Sequence, residues 1–399
     1  MKVLEISHLY PVPYDPLFGI AMHKQIKTLK NKGCEVLVIS PISWTPFPIK
    51  YMSNKWRLYS EAPIHKIIED IEIFYPRYLV FPKAYFLASS GIRMYYSIKK
   101  LVKKLWPIFT FDIIHAHMAL PDGYAAMLLS HDYNKPLVIT FQATDLDITA
   151  NRNDKCLQSL QKVFFAADKV ISPSPRLSRK FSERFKRVPD IVGYGIDSRD
   201  VFYGDSNLSV KYKNYRVLLS VSRLIPTKGI DLNLHALKNI ISKYDNLLYL
   251  IVGDGPFLGD LKTLTSNLGL DKYVKFIGQQ SHNHVMEYMS ICEIFTMPSW
   301  QETFGLVYAE AMAHGKPIIG CRGQGVDGIV THGKTGLLVK PKDVDSLVEA
   351  VDFLLSHSNE AQEIGRRARD LVLEKYTWER SAEKLVEVYK DILKRRRKT

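Results

Sequence analysis

Residues 299–317 read SWQETFGLVYAEAMAHGKP, and this stretch indicates the fold class of the chain. The apolar run 294–297 before it and the run 317–320 after it are short, as buried strands are. Between them the pattern predicts a tight loop, a helix that begins near Leu306, and a Gly-Lys-Pro turn. A strand, a helix and a second strand in this order form the repeating unit of a parallel α/β sheet.

Short runs rich in Val, Ile and Leu alternate with helix-length segments along the whole chain. In the first half these runs are 3–6, 36–39, 71–75, 113–114, 137–141 and 170–171. In the second half they are 217–221, 247–252, 274–277, 294–297, 317–320 and 337–339. Continuous apolar runs are typical of strands that are covered on both faces. Twelve strands are too many for one ordinary open sheet, so we predict an α/β fold with two doubly wound domains.

The polar stretch 197–214 separates the two sets of runs, and the domain boundary is predicted there. We predict an N-terminal domain at 1–197 and a C-terminal domain at 198–374. The segment 375–399 is predicted to hold a final helix after Trp378 and a basic tail.

The composition is that of a folded globular protein. Of the 399 residues, 46% are hydrophobic and 24% are charged. The formal net charge is +14, and most of that excess lies in residues 1–200. A basic half suggests an anionic partner, either nucleic acid or a membrane surface. The alternative is that the charge serves solubility only.

The sequence contains no apolar run of the ~18–20 residues that a membrane span needs. Glu5 interrupts the first apolar run, so the N-terminus is predicted to be a buried strand and not a signal peptide. The four cysteines lie far apart without a CxxC spacing, which argues against a disulfide framework or a zinc knuckle. A reducing, cytoplasmic compartment is therefore expected.

The loop and helix within 299–317 carry the strongest chemical signal. Gly305 allows a ligand to approach the backbone, and a helix that begins near Leu306 points unpaired N–H groups at an anion. Glu302 and Glu310 flank that helix start. Because carboxylates repel phosphate, they must accept hydrogen bonds from hydroxyl groups, which predicts a polyhydroxylated ligand with an anionic centre. The alternative, that the acids only complement the helix dipole, accounts for one glutamate but not for the whole set.

A second loop supplies positive charge for such a ligand. The run 217–221 leads into a loop that carries Arg223 and Lys228 at the carboxyl end of a predicted strand, where open α/β sheets bind ligands. A guanidinium fork with an ammonium suits a diphosphate. The loop VGDGP at 252–256 contains Asp254 and two glycines that would let a ligand approach the backbone closely. Alone, this motif is weak evidence for a binding site.

These motifs together resemble a known family. The stretches SRLIPTKG at 222–229, VGDGP at 252–256 and ETFGLVYAEAMAHGKP at 302–317 are similar to those of the family-4 retaining glycosyltransferases of the GT-B fold. The first half agrees through HAH at 115–117, PDGY at 121–124, FGI at 18–20 and YGID at 194–197. The resemblance implies two facing Rossmann-like domains with a nucleotide sugar between them. It also implies a last helix that crosses back to the first domain.

The resemblance also implies roles for individual residues. Arg223 and Lys228 would neutralise the donor diphosphate, Glu310 would bind the ribose hydroxyls, and Glu302 would face the transferred sugar. His117 would line the reaction centre. The other residues implied to contact the donor are Gly19, Asp254, Ile277 and the backbone of Phe304, Gly305 and Leu306.

Two departures from the family pattern concern the substrate. The frequent T-x-H-G-x-D appears as 140–145 with Gln142 and Ala143 in place of His-Gly, and a usual glutamate is replaced by Gly328.

Asp145 and Asp147 imitate a metal-binding D-x-D pair, which we interpret as chance. His282 and His284 are weak candidates for metal ligands. No metal and no cofactor is therefore expected.

The predicted function is transfer of a hexosyl or N-acetylhexosaminyl unit from a nucleoside diphosphate sugar to a glycan or lipid-linked acceptor. The alternatives are a nucleotide-sugar epimerase or phosphorylase of the same fold, and a basic nucleic-acid-binding protein, for which no recognition motif is found.

Residues 90–106 predict a lysine-rich amphipathic helix. We expect this helix either to dock on an anionic membrane or to pack on its own domain.

Overall fold

The computed structural model describes residues 1–201 and 207–396, which divide into two compact units. Unit 1 comprises Met1–Gly193 and Trp378–Thr399, and unit 2 comprises Tyr194–Thr377. The predicted boundaries after residues 197 and 374 lie a few residues away, because a bridge between Ile196 and Thr377 ties both residues to unit 2. Residues 202–206 of the predicted linker and 397–399 of the predicted tail lie outside the described residues.

Unit 1 is built on a sheet whose strands follow the order β10-β9-β8-β7-β1-β2-β5-β4. All neighbours are parallel except β4 and β5. The strands are β1 (Lys2–Ile6), β2 (Glu35–Ile39), β4 (His65–Ile68), β5 (Ile71–Phe74), β7 (Ile113–His117), β8 (Leu137–Thr140), β9 (Lys169–Ser172) and β10 (Asp190–Ile191), with β3 (Ile42–Ser43) and β6 (Arg77–Tyr78) as a separate parallel pair. The connections reverse direction between β1 and β7, which defines the switch point of this sheet.

Helices cover both faces of this sheet. The helices of unit 1 are α1 (Ile20–Asn31), α2 (Asn54–Glu61), α3 (Ser90–Leu105), α4 (Tyr124–Tyr133), α5 (Ala143–Asp147), α6 (Asp154–Ala166), α7 (Pro175–Phe185) and the C-terminal α15 (Trp378–Arg396), of which α2 has no buried residue. Side chains of α1 and α15, such as Leu29 and Leu385, pack on the face that carries Val3. The opposite face, which carries Leu4, packs against α3, α4, α6 and α7.

Unit 2 is a six-stranded parallel sheet in the order β13-β12-β11-β14-β15-β16. Its strands are β11 (Arg216–Val221), β12 (Leu247–Val252), β13 (Val274–Gly278), β14 (Ile294–Thr296), β15 (Ile318–Cys321) and β16 (Leu337–Val339). Its helices are α8 (Asn207–Tyr212), α9 (Ile230–Ile240), α10 (Leu258–Asn267), α11 (His282–Ile291), α12 (Leu306–Ala313), α13 (Val344–Ser356) and α14 (Ser358–Lys375). This order is that of a dinucleotide-binding Rossmann sheet, with its switch point between β11 and β14.

The predicted fold class is confirmed, since each of the twelve apolar runs lies in a strand of one of the two doubly wound sheets. The sequence patterns missed β4 at the edge of the first sheet. That strand, HKII, pairs antiparallel and is largely exposed, so it lacks the continuous apolar run of a buried strand. The helix predicted at 90–106 is present as α3.

The structure shows what covers the apolar side of α3, while docking of its lysines on a membrane stays a prediction. Ile98 and Val102 are buried in the core of unit 1, and Leu101 and Leu105 pack against that core. The apolar side of α3 is therefore covered by its own unit and is not available to a bilayer, while the lysines remain on the outer side. Among the described residues, no helix is long and apolar enough to cross a membrane.

Candidate active site

Three loops lie side by side at the carboxyl edge of the unit 2 sheet. The backbone N–H of Gly253, after β12, donates to the carbonyl of Gly278 at 2.9 Å, and that of Leu224, after β11, donates to the carbonyl of Asp254 at 2.9 Å. Gly253 has a φ of 132°, and a Cβ there would lie 1.8 Å from the carbonyl oxygen of Ser222. Glycine is required at this position, because the loops approach each other backbone to backbone.

The loop after β14 turns tightly into α12. Gly305 has a φ of 82°, and a Cβ there would lie 2.5 Å from the ring of Tyr308. Among the described residues, the backbone N–H groups of Phe304, Gly305 and Leu306 have no acceptor. The helix start therefore has open donors where the sequence predicts that an anion binds, and the binding itself stays a prediction.

The structure brings two predicted site residues into direct contact. Lys228 Nζ lies 2.6 Å from Glu302 Oε2, and both side chains are largely buried. The other oxygen of Glu302 accepts a hydrogen bond from the Thr303 backbone at 3.1 Å. Arg223 is exposed on the same loop as Lys228, and it forms no ion pair within the described part of the chain. The switch point of unit 2 thus offers one cation paired with a carboxylate and one that is unpaired.

The remaining predicted residues of unit 2 surround this edge. Glu310 lies half-buried on the second turn of α12, Asp254 is exposed in the β12 loop, and Ile277 is half-buried at the end of β13. The ring of Phe304 is buried and packs edge-on against Tyr194 at 6.0 Å, so only its backbone can meet a ligand.

The segment that contains Gly328 contacts the loop before α12 through Gly325. A Cβ on Gly325 would lie 2.5 Å from the backbone of Thr303, and the N–H of Gly325 donates to the Glu302 carbonyl at 3.1 Å. The segment that lacks the family glutamate therefore braces the loop before α12. Gly328 itself is half-buried, and nothing in the structure explains the replacement there.

At the switch point of unit 1, the predicted residue His117 lies in a buried polar cluster. His117 Nε2 lies 2.8 Å from Glu5 Oε2, and His115 Nδ1 lies 2.6 Å from the hydroxyl of Tyr389 on α15. Burial would raise the pKa of Glu5, but His115 and His117 outweigh it and hold that pKa at about 2. Burial lowers the pKa of His115. Within the described residues, His117 Nδ1 has no hydrogen-bond partner. The contact of His117 with a reaction centre stays a prediction.

The structure adds a residue pair that the sequence patterns missed. Asp122 accepts a hydrogen bond from the backbone N–H of His8 at 2.7 Å, and its second oxygen lies 2.5 Å from His8 Nδ1. Burial disfavours the charged imidazole, but Asp122 outweighs it and raises the pKa of His8. His8 follows β1 and Asp122 follows β7, so the pair spans the switch point. The motif PDGY at 121–124 marked Asp122, but no signal linked it to His8.

Gly19 lies in unit 1 as the residue before α1, with a φ of 67°. A Cβ there would lie 2.3 Å from the carbonyl oxygen of Leu9, so the loop after β1 folds closely onto the start of α1. Next to it, His23 is buried between the Tyr10 hydroxyl at 2.7 Å and Glu69 at 3.0 Å. The FGI motif is thus part of a tightly packed loop at the carboxyl edge of the sheet.

The structure separates the two carboxylates of the D-x-D sequence. Asp145 is buried and accepts hydrogen bonds from the backbone of Gln142 at 2.9 Å and of Ala119 at 3.2 Å. Burial raises the pKa of Asp145 to about 6, although these backbone donors oppose it. Asp147 instead forms an ion pair with Lys180. Gln142, one of the two departures, is the N-cap of α5.

One cluster with the ligand types and spacing for a metal occurs among the described residues. It consists of Glu5, His115 and His117. His115 Nε2 lies 2.8 Å from Thr140 Oγ1, and the Glu5–His117 contact is a hydrogen bond, so most polar atoms of the cluster already have protein partners. His282, one of the two weak metal candidates, instead contacts Asp200 at 2.8 Å.

Comparison with known proteins identifies the family. The model described as "Glycosyltransferase Family 4" matches residues 20–199, and "Glycosyl transferases group 1" matches residues 205–371. The N-acetyl-alpha-D-glucosaminyl L-malate synthase of Bacillus anthracis is 30% identical over 290 residues, which are 71% of this chain and 75% of that protein. The chain belongs to the family-4 glycosyltransferases.

Two further proteins are similar to this glycosyltransferase over most of their length. The putative teichuronic acid biosynthesis glycosyltransferase TuaC of Bacillus subtilis is 26% identical over 362 residues, 88% of each chain. The crystal structure of Anabaena HepE in complex with UDP has a TM-score of 0.74 and 19% identity, and it covers 98% of this chain and 100% of that one. This likeness shows the GT-B fold of the glycosyltransferase.

Proposed function

We propose that this glycosyltransferase transfers a hexosyl or N-acetylhexosaminyl unit from a nucleoside diphosphate sugar to a hydroxyl group of a glycan or lipid-linked acceptor, with retention of configuration. The observation that carries the proposal is the arrangement at the unit 2 switch point. There the cations of Arg223 and Lys228 lie on one loop and the open N–H groups before α12 lie on another, with Glu302 beside Lys228.

In the proposed reaction, the leaving group is the nucleoside diphosphate. Arg223, Lys228 and the start of α12 stabilise the negative charge that develops on it, and such preorganised stabilisation is usually the largest contribution to catalysis. The Lys228–Glu302 pair has a further consequence. When the diphosphate takes Lys228 as a partner, Glu302 becomes available to accept hydrogen bonds from the transferred sugar.

The comparisons support a nucleotide-sugar donor. HepE has been solved with UDP and with UDP-glucose. The name of the Bacillus anthracis relative contains an N-acetyl-alpha-D-glucosaminyl group, which supports the proposed sugar class, although its partner there is L-malate. The name of TuaC refers to teichuronic acid biosynthesis, which supports a glycan acceptor.

We propose that transfer needs no metal ion, because Arg223 and Lys228 supply the charge that a cation would. We propose that retention proceeds by displacement on the front face of the sugar, since Glu302 is assigned to the sugar hydroxyls and no described residue of the site stands out as a covalent nucleophile. The anomeric configuration of the product, read by NMR, tests this. Inversion of configuration, or loss of transfer in EDTA with recovery on adding Mg²⁺ or Mn²⁺, would contradict it.

The cellular setting is also part of the proposal. The four cysteines are buried and free, which fits a reducing cytoplasm. The exposed lysines of α3 would attract the protein to the anionic inner face of the membrane, where a lipid-linked acceptor is found.

The experiment that tests the donor is a thermal-shift screen of UDP, GDP and ADP with their sugars. A ligand at about 100 times its dissociation constant adds ~2.7 kcal/mol of stability. The positive donor is then incubated with candidate acceptors, and the products are separated by mass. A glycosylated acceptor supports the proposal. A free isomerised sugar or a sugar phosphate would instead indicate the epimerase or phosphorylase alternative.

A further inference from the structure

Two segments of unit 1 carry positive charge without any acidic residue. Residues 36–60 contain three Lys and Arg, and residues 73–111 contain seven, while neither segment contains Asp or Glu. The whole chain has 41 acidic residues against 55 basic ones, so this separation is a local property and not one of the composition. A surface of one sign favours an anionic partner.

The fold brings these segments together. β3 and β6 pair in parallel, and the backbone N–H of Trp44 donates to the carbonyl of Tyr78 at 2.8 Å. The loops that follow the two strands therefore leave from the same end. Arg93 of α3 holds the second loop, since it donates to the carbonyls of Leu79 at 2.9 Å and Phe86 at 3.1 Å. We name residues 44–57 and 79–104 the aromatic–basic surface.

Large apolar side chains project from this surface. Phe47 is 78% exposed, Met52 71% and Phe86 67%. Trp44, Tyr51, Tyr85 and Tyr96 are exposed as well. The helix α2, all of whose residues are described, has no buried side chain. Several large exposed apolar side chains on two neighbouring segments of one unit indicate an interaction site.

Positive charge lies on both segments of this surface. Lys50 lies 5.0 Å from the ring of Tyr51, and Lys100, Lys103 and Lys104 are exposed on α3. Lys99 is held by Asp132 at 3.1 Å, so it contributes less. Apolar side chains suit the hydrocarbon region of a membrane, and lysines suit the anionic headgroups above it. A surface that carries both is therefore complementary to an anionic membrane.

We propose that the aromatic–basic surface inserts Phe47, Met52 and Phe86 into the headgroup region of an anionic bilayer. The inference rests on the proposed function in one respect, namely that the lipid-linked acceptor lies in the membrane. A nucleic acid fits less well, because bases stack on ring faces, whereas Met52, Leu79 and Val80 offer aliphatic contacts. The insertion depends on the loops after β3 and β6, while the part of α3 in the proposal is its positive charge.

The test is flotation of the full chain with vesicles of phosphatidylcholine alone or with about one-third phosphatidylglycerol, at low and high salt. Three variants accompany the wild type: Phe47→Ser/Met52→Ser/Phe86→Ser, Lys100→Gln/Lys103→Gln/Lys104→Gln, and the matched control Phe165→Ser. Phe165 is equally exposed, on α6 of the same unit. All these positions are exposed, and circular dichroism checks that each variant is folded.

We expect wild type and Phe165→Ser to bind anionic vesicles equally, and the apolar triple variant to bind about tenfold more weakly at both salt concentrations. The lysine variant should lose binding at low salt and match the wild type at high salt. Equal binding by wild type and the apolar variant, absence of vesicle binding, or preference for single-stranded nucleic acid over vesicles would each overturn the inference. Nucleotide binding, measured on the same samples, shows separately whether the proposed function holds.

Discussion

The two switch points of this glycosyltransferase have the same topology and different chemistry. In unit 2, the loops after β11 and β14 carry Arg223, Lys228 and the open start of α12. In unit 1, the loops after β1 and β7 carry the His8–Asp122 pair, above a buried cluster of Glu5, His115 and His117. Unit 2 is thus equipped for a phosphate-containing ligand, whereas unit 1 presents carboxylate and imidazole groups.

In doubly wound sheets the strand order determines where a ligand binds, and the loop residues determine which ligand it is. Glycines let the loops of unit 2 come close enough to leave backbone donors open, as Gly253 and Gly305 show. In unit 1 the buried carboxylates of Glu5 and Asp122 accept hydrogen bonds from imidazoles and a backbone donor, and their negative charge would repel a phosphate. We therefore expect substitutions in the two regions to affect different substrates.

The largest effect is expected for Lys228→Ala. Losing one charge-assisted contact to the diphosphate costs ~1.5–3 kcal/mol, which corresponds to a fall of roughly 10- to 100-fold in the transfer rate. Steady-state kinetics with the donor found in the screen measures this. Lys238→Ala, an exposed lysine on α9 of the same unit, is the control and should match the wild type. A near-native transfer rate of Lys228→Ala would contradict the proposal that this loop binds the diphosphate.

The next effect concerns the loop before α12. Gly305→Ala introduces a Cβ at a φ of 82° and 2.5 Å from the Tyr308 ring, so it should destabilise the protein by about 1–3 kcal/mol. Gly278→Ala is the matched control, because its φ is 78° and a Cβ there meets nothing within 4 Å. Urea unfolding compares the two free energies of unfolding. Equal losses would show that strain alone, and not the close contact with Tyr308, requires glycine at 305.

A smaller effect separates the two glutamates. Glu310→Gln should weaken nucleoside diphosphate binding about tenfold through the lost ribose contact, whereas Glu302→Gln should chiefly slow transfer. Glu302→Gln also releases Lys228, so nucleotide affinity should be unchanged or increased in that variant. Calorimetry gives the affinities and kinetics gives the rates. Wild-type nucleotide affinity in Glu310→Gln would contradict the ribose role.

The smallest effect is expected at the switch point of unit 1. Asp122 raises the pKa of His8, so this histidine contributes stability that is fully present below the unfolded pKa of about 6.5 and is lost as the pH rises through the raised pKa. In Asp122→Asn that part of the pH dependence should disappear. Thermal unfolding from pH 6 to pH 9 measures it, with His8→Gln as the second variant. A wild-type pH profile in both variants would show that the pair is not coupled.

Local patterns in the sequence predicted most of the fold. The strands could be found because a buried parallel strand is a continuous apolar run, and α12 because Gly305 precedes a helical segment. The edge strand β4 escaped because its residues face water. For α3, amphipathicity predicted the helix but could not say that the core of unit 1 covers its apolar side.

The site was predicted in part. Arg223, Lys228, Glu302 and Glu310 all belong to loops or helix starts at one sheet edge, as the motifs indicate. The pairing of Lys228 with Glu302 joins residues 74 positions apart, and His8 and Asp122 are 114 apart. Contacts of this kind depend on strand order and not on local sequence, so no pattern could predict them.

The central claim, that the donor nucleotide binds at the switch point of unit 2, is tested most directly by calorimetric titration. The nucleoside diphosphate that stabilises the wild type is titrated into wild type, Arg223→Ala and His8→Gln, with EDTA present throughout. We expect about tenfold weaker binding by Arg223→Ala and unchanged binding by His8→Gln. Unchanged binding by Arg223→Ala with weakened binding by His8→Gln would contradict it.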